Sequence, residues 1–286
     1  MMSMAADGDS NELLYHYTDP QGFSGIIENK NLWATNAAFL NDTQEMTYGA
    51  DLIAGELAKT ASRVRHPSRA ATTTDEDYQK VEAWSQVLKY LQASYNPNRV
   101  PYGPYVVCFS RNGDDLSQWR GYATSGYSIG FDRKVLVDNT ETPGGAIDIK
   151  PVHYGAHAKE IAVNCVSEII AFVDSLCTDR KLDEGELSSA LAMANNWIPQ
   201  LKHEAFIAEA EERLWVNEFR DVKFRPGGLG LVPYKEVPIN LDAIREIIIG
   251  PGPNQDLRAN AIHVLLEQRL PCNYVEVWTS EIPFRG

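Results

Sequence analysis

Strand-like segments occur at both ends of this chain, and long amphipathic segments separate them. The segments with strong strand character are LLYHYT (13–18), LWATN (32–36), PYVVCFS (104–110), YSIGFD (127–132), RLWVNEF (213–219), LVPYKEV (231–237), REIIIG (245–250) and YVEVWTS (274–280). Strands bury their apolar faces by joining a sheet that packs against other layers. The sequence therefore predicts an α+β fold in which one mixed sheet takes strands from both chain ends.

The segments between these strands have helical periodicity and local helix-start signals. Asp19 can cap a helix whose first residue is Pro20, a position where the missing amide hydrogen costs nothing. Helical insertions are expected near 45–98 and near 158–212, where helix is predicted to continue through 183–212.

Composition limits the classes of function that this chain can have. A net charge of −13 argues against a protein that grips long nucleic acid through bulk electrostatics. No apolar run approaches the roughly 18–20 residues of a membrane span. The 4 cysteines are scattered without a C-x-x-C pair, which favours reduced thiols in a cytoplasm. We expect a cytoplasmic protein with a disordered tail at 1–12 and a single domain at 13–286.

Three segments carry side chains suited to chemistry, namely 15–18, 108–132 and 202–219. His16 stands at the exit of the first strand, where a buried core histidine is the simpler explanation. The aromatic residues of the second segment could equally be core packing. The acids of the third segment, including Glu211, crowd a predicted junction of helix and strand. Acids at a helix C-terminus are mildly unfavourable, which suggests a functional reason for them.

These segments resemble, in the same order, a bacterial family known only as a domain of unknown function. The resemblance is carried by L-Y-H-Y-T (14–18), I-I-E-N with L-W-A-T, F-L-N-D-x-x-E (39–45), C-F-S (108–110), L-S-Q-W-x-x-Y (116–122), G-Y-S-I-G-F-D (126–132), F-x-x-E-x-E-x-R (206–213) and S-E-I-P-F-R (280–285). It covers nearly the whole chain. Its N-D-x-x-E motif adds Asn41, Asp42 and Glu45 to the candidate functional residues.

The layout of these motifs also resembles that of divergent ADP-ribosyltransferases, which take ADP-ribose from NAD. This resemblance implies a mainly antiparallel sheet of that type. In that superfamily a histidine at the end of the first strand contacts the ribose of NAD, and a nearby hydroxyl residue supports it. The neighbouring main chain holds the nicotinamide amide. The corresponding positions here are His16, Thr18 and the backbone of Tyr17.

The same resemblance implies where the nicotinamide pocket would lie. A second strand supplies an aromatic residue, and the short helix that follows forms the wall of the pocket. The matching positions are Phe109 and Ser110 on the strand, then Trp119 and Tyr122 on the helix. The start of the chain further resembles toxins that ADP-ribosylate DNA bases, which open with a similar strand and helix.

A glutamate that enters a later strand completes the set implied by the resemblance. Glu211 fits this position best, and Glu209 competes with it. A carboxylate there would stabilise the positive charge that develops on the ribose as the bond to nicotinamide breaks. His16 would position the ribose hydroxyls. Arg213 would either neutralise the pyrophosphate or hold Glu209, and the sequence leaves both roles open.

Three functions follow as expectations. The first is NAD-dependent ADP-ribosyl transfer to a nucleic acid or protein, by a toxin or anti-phage effector that needs no metal and has an antitoxin or regulator as a further partner. The second is an inactive module that binds a ligand or a partner protein, because Tyr17 and Phe109 occupy positions usually held by other residues. The third is a metal-dependent phosphodiester hydrolase that uses Asp42, Glu45 and the acids Glu209 and Glu211.

Overall fold

The structure is a computed structural model. It describes residues 12–40, 45–65, 74–95, 104–138, 141–142, 145–146, 148–176, 180–216, 221–228, 230–270 and 274–283. The tail predicted at 1–12 lies outside these residues except for its last position.

The helices alternate with strands at both ends of the chain and cluster in its middle. They are α1 (Pro20–Asn29), α2 (Glu45–Arg65), α3 (Asp75–Ser94), α4 (Leu116–Tyr122), α5 (Arg133–Asp138), α6 (Gly155–Ser175), α7 (Glu184–Asn195) and α8 (Gln255–Arg269). Short 3₁₀ helices cover Ala37–Phe39, Ile198–Gln200, Glu204–Glu209 and Leu241–Ala243.

The strands are mostly short. They are β1 (Leu13–Thr18), β2 (Asn31–Asn36), β3 (Tyr105–Ser110), β4 (Tyr127–Asp132), β5 (Glu141–Thr142), β6 (Gly145–Ala146), β7 (Asp148–Pro151), β8 (His153–Tyr154), β9 (Leu201–Lys202), β10 (Glu211–Val216), β11 (Lys223–Gly227), β12 (Gly230–Pro238), β13 (Ile244–Ile249) and β14 (Glu276–Thr279).

Ten of the described strands form one open sheet that is mainly antiparallel. Its order is β11-β12-β2-β3-β1-β4-β13-β14, and β10 pairs with both β3 and β7. Strands β13 and β14 pair in parallel. The prediction of a mixed sheet with strands from both chain ends is confirmed.

Local signals placed the helix starts well. The Asp19 side chain accepts a hydrogen bond from the Gly22 amide at 2.7 Å, and Pro20 is the first residue of α1, as predicted. The helix predicted to fill 183–212 is present in α7 and in the 3₁₀ helices Ile198–Gln200 and Glu204–Glu209, but β9 interrupts it and β10 begins at Glu211. Pro199 has no amide hydrogen to continue a helix, and the chain forms short 3₁₀ and strand elements instead.

The sheet separates two apolar cores. The core on one face includes residues of α1, α5 and α8, and we call this the α8 face. The core on the other face includes residues of α2, α3, α6 and α7, and we call this the α6 face. A smaller apolar cluster of Tyr17, Trp119, Ala123 and Ile248 also packs on the α6 face, over β1 and β13. Within the described segments, no helix is both long and apolar enough to cross a bilayer.

Candidate functional site

Residues from three adjacent strands form a row at one end of β3. Tyr15 of β1 pairs with Ser110 of β3, and Ser110 pairs with Glu211 of β10. Residues directly opposite each other in antiparallel strands share a face. Tyr15, Ser110 and Glu211 therefore share the α6 face, and they bring the three sequence-predicted segments to one place.

The carboxylate of Glu211 is buried among cations. Arg213 Nε lies 2.6 Å from Oε1, and Arg213 Nη2 lies 2.9 Å from Oε2. Lys202 Nζ lies 3.1 Å from Oε2. The side chains of Glu211, Arg213 and Lys202 are 7%, 2% and 2% exposed, so this cluster is largely shielded from water. The fork of the arginine binds the carboxylate in two places, which fixes its orientation.

These cations determine the ionisation of Glu211. Burial alone would raise its pKa, because a charged form is disfavoured away from water. The positive charges of Arg213 and Lys202, together with hydrogen bonds from Arg213 and the Cys108 thiol, outweigh burial and lower the pKa to about 2. Glu211 is therefore ionised at neutral pH.

Glu209 lies beside Glu211 and is tied to the same lysine. It ends the 3₁₀ helix Glu204–Glu209, and Lys202 Nζ donates a hydrogen bond to its Oε2. Ala210 follows with φ of 44°, and this left-handed turn leads the chain into β10. The Ser110 hydroxyl donates to the Glu209 carbonyl at 2.7 Å. Ser110 thus holds the turn that carries both predicted glutamates.

Two tyrosines border the carboxylates. Tyr122 of α4 is 43% exposed, and its pKa is raised by burial and then by the negative charge of Glu209. Tyr154 of β8 accepts a hydrogen bond from the Glu211 amide at 2.9 Å. Burial raises the pKa of Tyr154 to about 12. Both phenols are therefore neutral at neutral pH, and Tyr122 offers the exposed aromatic surface of the site.

The loop after β3 links β1 to the turn before β10. The Tyr17 hydroxyl donates to the Asn112 carbonyl at 2.7 Å and accepts from the Asp115 amide at 3.0 Å. The Asn112 amide donates to the Ser110 hydroxyl at 3.0 Å. With the bond from Ser110 to the Glu209 carbonyl, these contacts form a continuous hydrogen-bonded path across the site.

Strand alternation assigns His16 to the opposite face. It is paired with Ile129, which belongs to the core of the α8 face, and its ring contacts Phe109 at 5.8 Å between centroids. Phe109 is 2% exposed within that core. Thr18 is half-buried and lies two positions after His16 in β1, so it belongs to the same face as His16. The structure therefore does not group these three side chains with Glu211.

The His16 ring lies where β1 and β3 diverge. The register of these strands contains the single pair Tyr15–Ser110, and His16 Nδ1 lies 3.0 Å from the Cys108 carbonyl. A carbonyl can only accept, so Nδ1 carries the proton and Nε2 keeps its lone pair. Burial lowers the pKa of His16, and the bond to Cys108 opposes this only in part. The imidazole is therefore neutral at neutral pH.

Trp119 is a core residue in this structure. It is fully buried, its ring contacts Tyr17 at 4.7 Å between centroids, and its Nε1 donates to Asp114 Oδ1 at 2.6 Å. Its indole therefore supports α4 from within, and on this helix the half-exposed Tyr122 is the aromatic side chain beside the carboxylates.

Arg213 is engaged by Glu211 and by the Pro199 carbonyl at 2.7 Å. The structure shows Arg213 bound to Glu211, whereas the sequence left open whether this arginine neutralises a pyrophosphate or holds Glu209. Asn41 and Asp42 lie outside the described residues, and of Glu45 the structure describes only that it begins α2. Among the residues that are described, no group of three or more His, Cys, Asp or Glu side chains could hold a metal ion.

Sequence reasoning missed Lys202 and Tyr154. Both contact Glu211, and they face each other in the two-stranded parallel pair of β8 and β9. Lys202 lies close to the acidic segment and could have been noticed there as a countercharge. Tyr154 gives no local signal, because its partner is 57 positions away in sequence.

Comparison with known proteins adds one match. A family model described as a protein of unknown function (DUF2971) matches residues 118–214. The matched segment begins in α4 and ends in β10, so it contains Tyr122, Lys202, Glu209 and Glu211. Neither the curated proteins nor the solved structures gave a match. Over this segment, the chain is similar to an uncharacterised family.

Proposed function

We propose that this protein transfers ADP-ribose from NAD to a nucleic acid or protein acceptor. The observation that carries the proposal is the hydrogen-bonded path from Tyr17 through Asn112 and Ser110 to Glu209. It connects the three segments that resemble ADP-ribosyltransferases, and it ends at the main-chain carbonyl of Glu209, whose side chain shares Lys202 with the ionised Glu211. The mainly antiparallel sheet is compatible with a fold of that type.

The proposed reaction breaks the bond between the ribose C1′ and the nicotinamide nitrogen. The electron pair of that bond leaves with nicotinamide, and C1′ becomes positively charged. A nucleophilic atom of the acceptor then bonds to C1′, and its proton passes to a carboxylate or to water. Glu209 or Glu211 would stabilise the cation, and the exposed ring of Tyr122 would contact the flat nicotinamide.

Recognition of the ribose would fall to His16, whose Nε2 can accept a hydrogen bond from a hydroxyl. His16 and Glu211 belong to opposite faces by alternation. To contact both side chains, the substrate would have to lie across the strand ends, where β1 and β3 diverge. Replacing His16 with Ala should then weaken NAD binding more than it lowers the maximal rate.

The direct test measures nicotinamide release and NAD-induced thermal shift with purified protein. Changing the catalytic glutamate to glutamine should lower the rate by roughly 10²–10³-fold. Glu209→Gln and Glu211→Gln are compared to decide which residue this is. If the wild-type protein releases no nicotinamide with any acceptor tried and shows no thermal shift with NAD, the proposal fails.

Glu212→Gln is a matched control for the loss of a buried carboxylate. Glu212 is next in sequence and just as buried, but it lies on the α8 face and pairs with Arg111 and Arg133. The Glu212→Gln variant should lower the stability of the fold, but the folded protein should turn over NAD at the wild-type rate. An equal loss of specific activity in this control would mean that the effect of the site variants arises from folding.

One observation favours the alternative that this is an inactive binding module. Arg213 holds both oxygens of Glu211, and Lys202 holds one of them as well. A carboxylate so fully engaged is poorly placed to act on a substrate. Binding of NAD or of a partner that survives Glu211→Gln and Glu209→Gln unchanged, with no turnover in the wild type, would select this alternative.

A further inference from the structure

The ammonium group of Lys202 is buried between two glutamates. Its Nζ lies 3.1 Å from Glu211 Oε2 and donates a second hydrogen bond to Glu209 Oε2. The side chain is only 2% exposed. Burying a cation is costly unless opposite charges and hydrogen bonds compensate it, so this arrangement is stable only as a unit.

Lys202 is positioned by the pairing of β9 with β8 and by contact with an aromatic ring. Lys202 is half of the two-residue strand β9, where it pairs with Tyr154 of β8. Tyr154 accepts the amide hydrogen of Glu211, so the same strand pair contacts both the main chain and the side chain of that residue. The Phe206 ring lies 4.8 Å from Nζ and provides a cation–π contact.

The charges suggest what the lysine does. Arg213 already binds both oxygens of Glu211. Two carboxylates in one buried site cannot both remain ionised without further positive charge. Among the described residues, the titratable groups that surround them come from several elements and include Cys108 of β3, Tyr122 of α4, Tyr154 of β8, Lys202 of β9 and Arg213 of β10. Lys202 contacts the carboxylates of both glutamates.

We propose that Lys202 is a positioning residue whose ammonium group holds Glu209 and Glu211 ionised and in fixed orientation in the candidate site. The positioning itself stands on geometry. Its importance for turnover rests on the proposed function, so the two are tested by separate measurements.

The first measurement is thermal unfolding of Lys202→Met at pH 7.5 and pH 4.5. Without the ammonium, a carboxyl of the pair binds its proton more tightly, and protonation at acid pH removes the need for a countercharge. The loss of Tm should therefore be larger at pH 7.5 than at pH 4.5. The difference should be about 2–4 °C for each tenfold increase in proton affinity. An equal loss at both pH values would overturn the inference.

Matched variants separate charge from packing. Lys202→Arg keeps the charge and should show the wild-type pH dependence. Lys150→Met removes a lysine that pairs with Asp148 on β7 and should show equal losses at both pH values. If Lys202→Met does not fold, the double variant with Glu209→Gln should restore folding at pH 7.5, because it removes one of the two negative charges that Lys202 contacts. The inference would also be overturned if Lys202→Arg lost the wild-type pH dependence and the double variant did not fold.

The second measurement is the pH dependence of nicotinamide release. In Lys202→Met the acid limb of the rate profile should move to higher pH, whereas Lys202→Arg should keep it in place. A wild-type protein without turnover, combined with the expected thermal result, would reject the proposed function and leave the positioning role supported. Turnover with an unchanged profile in Lys202→Met would reject the positioning role alone.

Discussion

Tyr17 ties the end of β1 to the loop after β3. Its hydroxyl bonds both the Asn112 carbonyl and the Asp115 amide, and its ring packs on Trp119. The resemblance assigned a role only to its backbone. The side chain has a structural task of its own, because these contacts hold the end of β1 against the loop after β3.

Tyr17→Phe should destabilise the protein by about 1–3 kcal/mol, because it leaves a carbonyl and an amide without their partner. Urea unfolding measures this loss. Tyr274→Phe is the control, since Tyr274 is 82% exposed, and its effect should stay within about 0.5 kcal/mol. Equal effects of the two variants would show that the hydroxyl of Tyr17 contributes nothing.

At the residue scale, the sequence singled out the two acids but not the residues that contact them. Glu209 and Glu211 were recognisable because acids crowd a short segment before a strand. The spacing of aromatic residues does not reveal which of them are buried: Trp119 and Tyr122 lie on one helix, but Trp119 is fully buried and Tyr122 is 43% exposed. Lys202 completes the site through the β8–β9 register, which no local pattern reveals.

At the scale of elements, helix α2 contains two glycines in opposite surroundings. A Cβ at Gly49 would lie 2.4 Å from the Ile198 carbonyl oxygen, which belongs to a neighbouring backbone and cannot rotate away. A Cβ at Gly55 would meet no atom within 4 Å. The first glycine permits close packing of α2 against the segment after α7, and the second has no such role.

Replacing glycine with alanine should therefore raise the stability of the protein at one of these positions and lower it at the other. Gly55→Ala should stabilise the protein by about 0.5–1 kcal/mol through its higher helix propensity. Gly49→Ala should destabilise it by about 1–3 kcal/mol because of overpacking. Urea midpoints of the two variants test this. Stabilisation by both would mean that α2 can shift away from Ile198 at little cost.

Elements with strong local signals were predictable, and elements that depend on partners were not. The start of α1 followed from Asp19 and Pro20, whose capping interactions are local. The segment after Asn195 has apolar and charged residues compatible with helix. Its backbone conformation is instead set by contacts with residues that are distant in sequence. Strand β9 exists only because it pairs with β8, and that pairing brings Lys202 to the site.

At the scale of the whole molecule, the sheet sets which residues can act together. The sequence predicted that strands from both chain ends share one sheet, because both ends alternate or run apolar. It could not predict the register, and one step of register exchanges the two faces. His16 and Glu211 were expected in one pocket, but the pairs of β1 with β4 and of β3 with β10 assign them to opposite faces.

The segment that follows β14 packs against the start of α4. Asp114 Oδ1 accepts hydrogen bonds from Trp119 Nε1 and from the Ser280 hydroxyl, each at 2.6 Å. The Ile282 amide donates to the same hydroxyl at 3.2 Å, and Ile282 packs against the cluster around Trp119. One carboxylate thus joins the start of α4 to the segment that follows β14.

Asp114→Ala should loosen both regions together. It leaves the buried indole of Trp119 and hydroxyl of Ser280 without an acceptor, at about 1–3 kcal/mol for each group. Hydrogen exchange should accelerate in 111–122 and in 276–282 by the same factor, because regions that open as one unit share one opening free energy. Asp114→Asn keeps an acceptor oxygen and should lose less. Acceleration in only one of the two regions would show that the chain end and α4 open independently, and that the carboxylate does not couple them.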